Sequence, residues 1–498
     1  MRRPLFNLAN TLHSLGRYHE ALTIGREVLE KRGELLGENH PDTVSAMHNL
    51  AIVYRSSGQY QEALELKQKV LKKREETLGE NHPDTMNAMG NLAGSYEDLG
   101  RYQEALTLKQ EVLTKRRELL GDNHPYTLTA MNNLALSYRA SGQYQEALTL
   151  QRELLMKRRK LLGDDHPGTL RAMINLAISY SSLGQYQEAL TLRQELLTRM
   201  ENTLGENHPH TLTAMSGLAN SYSSLGQYQE ALTLKQKVLT KQRELLGDNH
   251  PHTLTAMNNL ANSYSSIGQY QEALKLRQEV LTKQRELLGE NHPSTISAMN
   301  SLADSYYSLE QYQEALTLWQ EVLTKRNELL GENHPDTISA MNNLALCYFS
   351  MERYHEAETI FQKVVAKRTE VLGKNHQDTL MSMNNLAAAY DKLKDYDSAL
   401  TLAHEALELQ EETLGRGHID TACTPETISE ALSGLGQHSE AIRMQEESVR
   451  IRTQVLGETH PKTIEYLANL AERFRAAGDY EKASEVEAKV KSLREKSK

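Results

Sequence analysis

Thr127-Leu128-Thr129-Ala130-Met131-Asn132-Asn133-Leu134-Ala135-Leu136-Ser137-Tyr138 is the stretch that decides the fold. Met131, Leu134, Ala135 and Tyr138 stand at i, i+3, i+4 and i+7, which is one apolar helical stripe. Pro125 and Thr127 are helix-start residues, as are the Asp residues that replace Tyr126 in other units (Asp42, Asp84, Asp336). Gly142 stops this helix, and a second is predicted from about Gln143 to Leu162, roughly 30 Å long at 1.5 Å per residue. Tyr144, Ala147, Leu148, Leu150, Leu154, Leu155 and Leu162 are its apolar positions. Lys157, Arg158, Arg159 and Lys160 fall in its last turns, where cations suit the helix C-terminus. Gly163 predicts a left-handed C-cap. The linker Asp164-Asp165-His166-Pro167 then opens the next pair.

Outward from this stretch the pattern repeats without a break. His40 recurs at 82, 124, 166, 208, 250, 292, 334, 376, 418 and 460, every 42 residues. Leu36-Gly37 recurs in each of these linkers, and Pro follows the His in nine of them, so nearly every Pro marks a helix start. Ala21 has an Ala counterpart in every unit through Ala483, which marks a close approach of two helices. Each unit is therefore an antiparallel helix pair whose apolar stripe is covered only by its neighbours, so the array is quasi-one-dimensional. The expected architecture is one all-α solenoid of about twelve pairs over residues 1–498, an elongated particle rather than several globular domains.

The ends depart from the rule. Unit one, residues 1–42, lacks the usual Thr-x-x-Ala-Met lead before Asn7-Leu8-Ala9-Asn10, and Leu5 and Phe6 are expected to close it poorly. Residues 463–498 read as a capping unit whose last helix is largely solvated. Unit eleven, residues 421–462, is degenerate. Pro425 replaces the stripe Met, Leu432 replaces Tyr, and His438 replaces the second Tyr. Pro425 is expected to delay the start of that helix.

Asn133-Leu134-Ala135-Leu136-Ser137-Tyr138, with Gly142, Tyr144 and Ala147, resembles the tetratricopeptide repeat (TPR) signature. The resemblance covers essentially the whole chain. It implies a right-handed superhelix whose first helices line a concave groove, and a role in holding other proteins. The 42-residue form with Leu-Gly-x-x-His-Pro between units is similar to the arrays of kinesin light chains. It is also similar to the TPR tails of fungal and bacterial nucleotide-binding signalling proteins. The chain shows neither the heptad coiled coil of the first group nor the phosphate-binding loop of the second. Three roles follow as expectations: a protein–protein scaffold, a cargo adaptor, and the sensor or oligomerisation tail of a signalling ATPase encoded elsewhere.

The totals narrow the field. No run of eighteen apolar residues occurs, so no membrane span is expected. The start is too polar for a signal peptide. Two cysteines at unrelated repeat positions, Cys347 and Cys423, exclude a disulfide framework and favour a reducing, cytoplasmic setting. With a formal net charge of −10 and its 56 Lys and Arg dispersed, the chain has no nucleic-acid stripe. Equivalent linker histidines lie roughly 10–20 Å apart if packed helices are 8–10 Å apart, too far to share a metal. A structural role at the turn is expected for them. No nucleophile elbow appears. The expectation is no catalysis, no cofactor, no metal and no small-molecule substrate; the partner is a protein or peptide.

The candidate groove lies on the first helices, away from the buried stripe. Asn precedes the recurrent Leu at 7, 49, 91, 133, 175, 259, 343, 385 and 469. Asn is a mediocre helix former, so its repetition in mid-helix needs a reason. Two readings stand: the amides grip an extended peptide backbone, or they bond the neighbouring repeat. Asn133, Asn175, Asn259, Asn343 and Asn385 are the candidates of this row. Asn220, Asn258, Asn262, Asn300 and Tyr307 extend the surface in the middle units, which reads as polar and nearly uncharged, with Asp304 among them. Arg139 and Arg171, with Arg55 and Glu97, stand toward the front. Trp319 and Phe361 replace the Lys, Gln or Arg of units two to seven and are read as packing residues.

Overall fold

The computed structural model describes residues 8–9, 11–12 and 17–496; Leu5, Phe6 and Asn7 lie outside them. Among the described residues every regular element is a helix. A typical unit pairs a 16-residue helix, Pro125–Ala140, with a 19-residue helix, Tyr144–Leu162. The linker histidine has a local task. His124 Nδ1 accepts the backbone N–H of Tyr126 at 3.2 Å, and the same cap recurs in the ten other linkers, from His40 to His460. The Thr that follows is buried, and in most units it turns its hydroxyl back on the linker: Thr127 Oγ1 donates to Gly121 O at 2.8 Å. An orphan N–H of the helix start is thus satisfied in each linker, and in most units a carbonyl at the end of the preceding helix as well.

Gly163 ends its helix at φ 86° and ψ 166°. That is the extended mirror region open only to glycine, not the left-handed helical cap expected from the sequence. The Gly163 N–H still reaches Arg159 O, so the helix closes with an ordinary last bond.

The stripe packs as expected. Met131 and Leu154 are fully buried, and one apolar cluster runs on through Met86, Leu128, Met173 and Leu196 in successive units. Each such side chain contributes roughly 1.5–3 kcal/mol by leaving water. Ala147 and its equivalents from Ala21 to Ala399 have almost no exposed surface, which fits the close approach inferred for them. Units are also tied by side chains: Gln110 Nε2 donates to Tyr138 Oη at 2.6 Å, and the same Gln–Tyr bond links several other neighbours. Trp319 and Phe361 are buried, as packing residues should be.

The solenoid winds back on itself. A Cβ on Gly58 would lie 2.5 Å from the His334 ring, one on Gly100 2.1 Å from Leu372 O, and one on Gly142 2.7 Å from Thr413 O. Gly58 and His334 are 276 positions apart, between six and seven units. The turns joining first to second helices in units two to five thus sit against the linkers that close units eight to eleven. Tyr102 stacks on His376, and Tyr144 on His418 with ring centres 4.9 Å apart. His334 bonds the backbone of Ser56. Burial in this seam holds the imidazoles of His334, His376 and His418 below their usual pKa. The outcome is a superhelix of nearly two touching turns. Its surface, 23548 Å², still exceeds the roughly 18,500 Å² of a compact monomer of this mass.

Unit eleven departs where Pro425 predicts. A 3-10 turn, Ile419–Ala422, precedes a helix of only 11 residues, Thr424–Gly434. Arg452 Nη1 and Ser448 Oγ both donate to Ala422 O and hold the shortened start in place. With fewer helical hydrogen bonds, backbone exchange should be faster across 421–436 than across 253–268. Hydrogen exchange by mass spectrometry checks this, and equal protection in the two segments would refute it.

Candidate functional site: the inner groove

Successive first helices approach one another, as Pro125–Ala140 does Pro167–Ser182 and Pro251–Ser266 does Pro293–Ser308. They therefore form the inner wall, and their polar face lines the groove.

The asparagine row divides. Asn175 Nδ2 donates to Asn132 Oδ1 at 2.8 Å, Asn343 Nδ2 to Asn300 Oδ1 at 3.1 Å, and Asn385 Nδ2 to Asn342 Oδ1 at 3.3 Å. Each bond spans 43 positions and ties one unit to the one before. Asn469 does the same to Glu426. In these units the tie between repeats is the visible role. Asn133, Asn220 and Asn259 are different: among the described residues their side-chain amides find no partner, and Asn133 and Asn220 are exposed. Asn258 Oδ1 is buried without a partner.

The middle units form one connected polar surface. Arg277, on the second helix of unit seven, donates to Ser301 O, Ser305 Oγ and Asn262 Oδ1. Asn300 Oδ1 also receives the Trp319 indole at 3.2 Å. Tyr307 Oη lies 2.6 Å from Ser350 Oγ, and its ring packs on Trp319. Asp304 sits beside this network. Burial pushes its carboxyl up to about 6, against the pull of Arg277 and Arg326. The middle of the groove therefore carries buried charge as well as amides.

The front is more cationic than its first helices suggest. A cavity of about 460 Å³ opens between Asn87, Asn91, Tyr126 and Asn133, and the second helix lends it Lys109 and Arg116. Arg116 donates to Tyr126 O and to Asn87 Oδ1, and burial lowers its pKa. Lys109 is paired with Glu97 at 2.7 Å. Arg116 belongs to a row of second-helix arginines, with Arg32, Arg74, Arg158, Arg326 and Arg368, each donating to a carbonyl at the start of the next first helix. Arg158 thus has a specific acceptor, Gly168 O, beyond the helix-end field expected for it. Arg171 is exposed near Arg158. Arg139 does not join the groove. It lines a separate cavity of about 440 Å³ in the seam, beside Gly100, Tyr144 and Thr413.

Lys109, Arg116 and Arg277 were not among the candidates, because the groove was read from the first helices and the position of Trp319 was taken as one of packing. The alternation of Lys, Gln and Arg at the position of Trp319 was the available signal for Lys109 and Arg277; Arg116 stands at another position, that of Arg326.

A family model described as tetratricopeptide repeat matches overlapping segments from 1–76 to 420–496. Among solved structures, the chain is similar to a putative kinesin light chain from Podosopora anserina with nearly identical TPR-like repeats. Identity is 34%, over 41% of this chain and 97% of that one, with a TM-score of 0.37. It is also similar to BtubC from P. vanneervenii, at 20% identity over 49% and 92%, TM-score 0.37. A third is a Rap protein complexed with competence and sporulation factor, at 15% identity over 83% and 99%, TM-score 0.47. No curated protein matches.

Proposed function

Because the chain belongs to the tetratricopeptide repeat family, we propose that it is a non-enzymatic scaffold that holds an extended segment of a partner protein along the inner groove. The observation that supports this is the set of unspent amides, Asn133, Asn220 and Asn259, facing one continuous inner wall. An extended backbone offers alternating donors and acceptors, and a primary amide answers both. Asn175, Asn343 and Asn385 then keep neighbouring units in register so that the free amides stay aligned. The front cavity, with Arg116 at its wall, suits an acidic side chain of the same segment.

Asn259→Ala and Asn343→Ala separate the two roles. Each lost hydrogen bond should cost about 0.5–1.5 kcal/mol. Asn343→Ala should lower thermal stability, because Asn300 loses a donor. Asn259→Ala should leave stability unchanged and reduce the capture of those proteins that affinity purification with mass spectrometry recovers with the wild type. Unchanged capture with the Asn259→Ala, Asn133→Ala double variant would overturn the proposed grip.

A further inference from the structure

The seam leaves both of its faces unused at the two ends of the superhelix. Leu372 ends a second helix beneath Gly100 and is 5% exposed. Its equivalents on the first superhelical turn, Leu78, Leu120, Leu162, Leu204, Leu246 and Leu288, are 37–46% exposed. The linker histidines follow suit: the His82 side chain is 40% exposed, against 9% for His334 and for His418. This leading rim is thus a row of leucines and imidazoles that later units bury. On the opposite, trailing rim, a Cβ on Gly268, Gly436 or Gly478 would meet nothing within 4 Å.

The two rims are the same two surfaces that meet in the seam within the chain. Carrying the 276-residue offset past the twelfth unit sets Gly268 against a second copy's His40, Glu310 against its His82, and Glu352 against its His124. Tyr270 and Tyr312 would then face the second copy's Asp42 and Asp84, as Tyr60 and Tyr102 face Asp336 and Asp378 within the chain.

One feature opposes close contact. Covered turns keep glycine at 58, 100, 142 and 184, where a Cβ would fall 2.1–2.7 Å from the opposite side. The trailing rim instead carries Glu310, Glu352 and Lys394, exposed and held at φ of 59–64° despite their side chains. Such residues would keep two copies apart at those turns.

We propose that the leading rim is a docking surface for the trailing rim of a second copy, and that Glu310, Glu352 and Lys394 hold this head-to-tail contact weak. The contact is heterologous and does not close, so unrestrained it would build an open superhelical chain. The triple change Glu310→Gly, Glu352→Gly and Lys394→Gly removes the obstruction, and it also relieves three side chains at positive φ, so the variant folds.

Sedimentation velocity on the full chain, over about a hundred-fold range of concentration, reads the outcome by mass action. The wild-type mass should rise only at the upper end. The triple glycine variant should associate at concentrations about ten-fold lower or less. Adding Leu78→Lys, Leu120→Lys and Leu162→Lys to it should restore a monomer with unchanged helicity. A triple glycine variant that stays monomeric throughout would overturn the proposal, as would association that survives the three lysines.

Discussion

Gly100→Ala should destabilise the protein by about 2–4 kcal/mol, while Gly268→Ala should cost only about 1. Both glycines join a first helix to a second, at φ of 69° and 76°. The penalty for a side chain at positive φ is therefore shared. What differs is the surroundings. A Cβ on Gly100 would sit 2.1 Å from Leu372 O, whereas one on Gly268 has open space. A backbone carbonyl cannot rotate away as a side chain can, so the two superhelical turns must part around unit three. Parting them exposes Leu372 and unstacks Tyr102 from His376. The radius of gyration from small-angle scattering should rise for Gly100→Ala and stay fixed for Gly268→Ala. If both variants show the same melting shift and the same radius, the turns do not bear on one another in solution.

That contrast marks how far the fold is legible in the residues. The helix pairs are legible because their causes are local. Met131, Leu134 and Tyr138 declare a stripe, and His124-Pro125 declares a start. The short helix of unit eleven follows directly from Pro425. The seam is not local. It depends on a small rotation added at each of six or seven units, and no residue encodes that sum. Glycine at 58, 100 and 142 reads as a demand for positive φ, yet Glu310 and Lys394 adopt the same φ without it. The stricter demand comes from what lies opposite, which is visible only once the chain has coiled.

The groove was legible by face and not by partner. Helical periodicity puts the asparagines on one face of the first helices, but whether an amide is spent on its neighbour depends on the residue 43 positions earlier. Asn175 finds Asn132 there. Asn133 has Gly90 at that place and finds no amide. Asn259, with Ser216 there, also stays unbonded. That pairing could have been tabulated from the sequence, since the register never slips. Arg139 misled because its helical angle suits the groove while its height along the helix puts it in the seam.

Asp304→Asn should stabilise the protein at neutral pH, by about 2 kcal/mol. Burial lifts this carboxyl from an ordinary value of 3.8 to about 6, and Arg277 and Arg326 only partly offset it. A shift of about two units corresponds to roughly 3 kcal/mol between protonation states, reduced here by partial access to water. The sign follows from linkage. A carboxyl whose folded pKa lies above its unfolded value supports the fold fully below pH 3.8 and loses that support as the pH rises through 6. At pH 7 the ionised form is therefore a burden, and a neutral amide of the same shape removes it. At pH 4 the wild-type side chain is already neutral, so the substitution should change little. Melting temperatures of the two proteins should nearly coincide at pH 4 and separate between pH 4 and 7, with the variant higher. A constant gap across that range would mean that Asp304 is solvated and that its burial among the inner helices is not felt. The burden has a place in a binding groove: stability surrendered at a site is a common signature of a surface kept for something else, and Asp304 stands among the polar residues proposed to meet the partner.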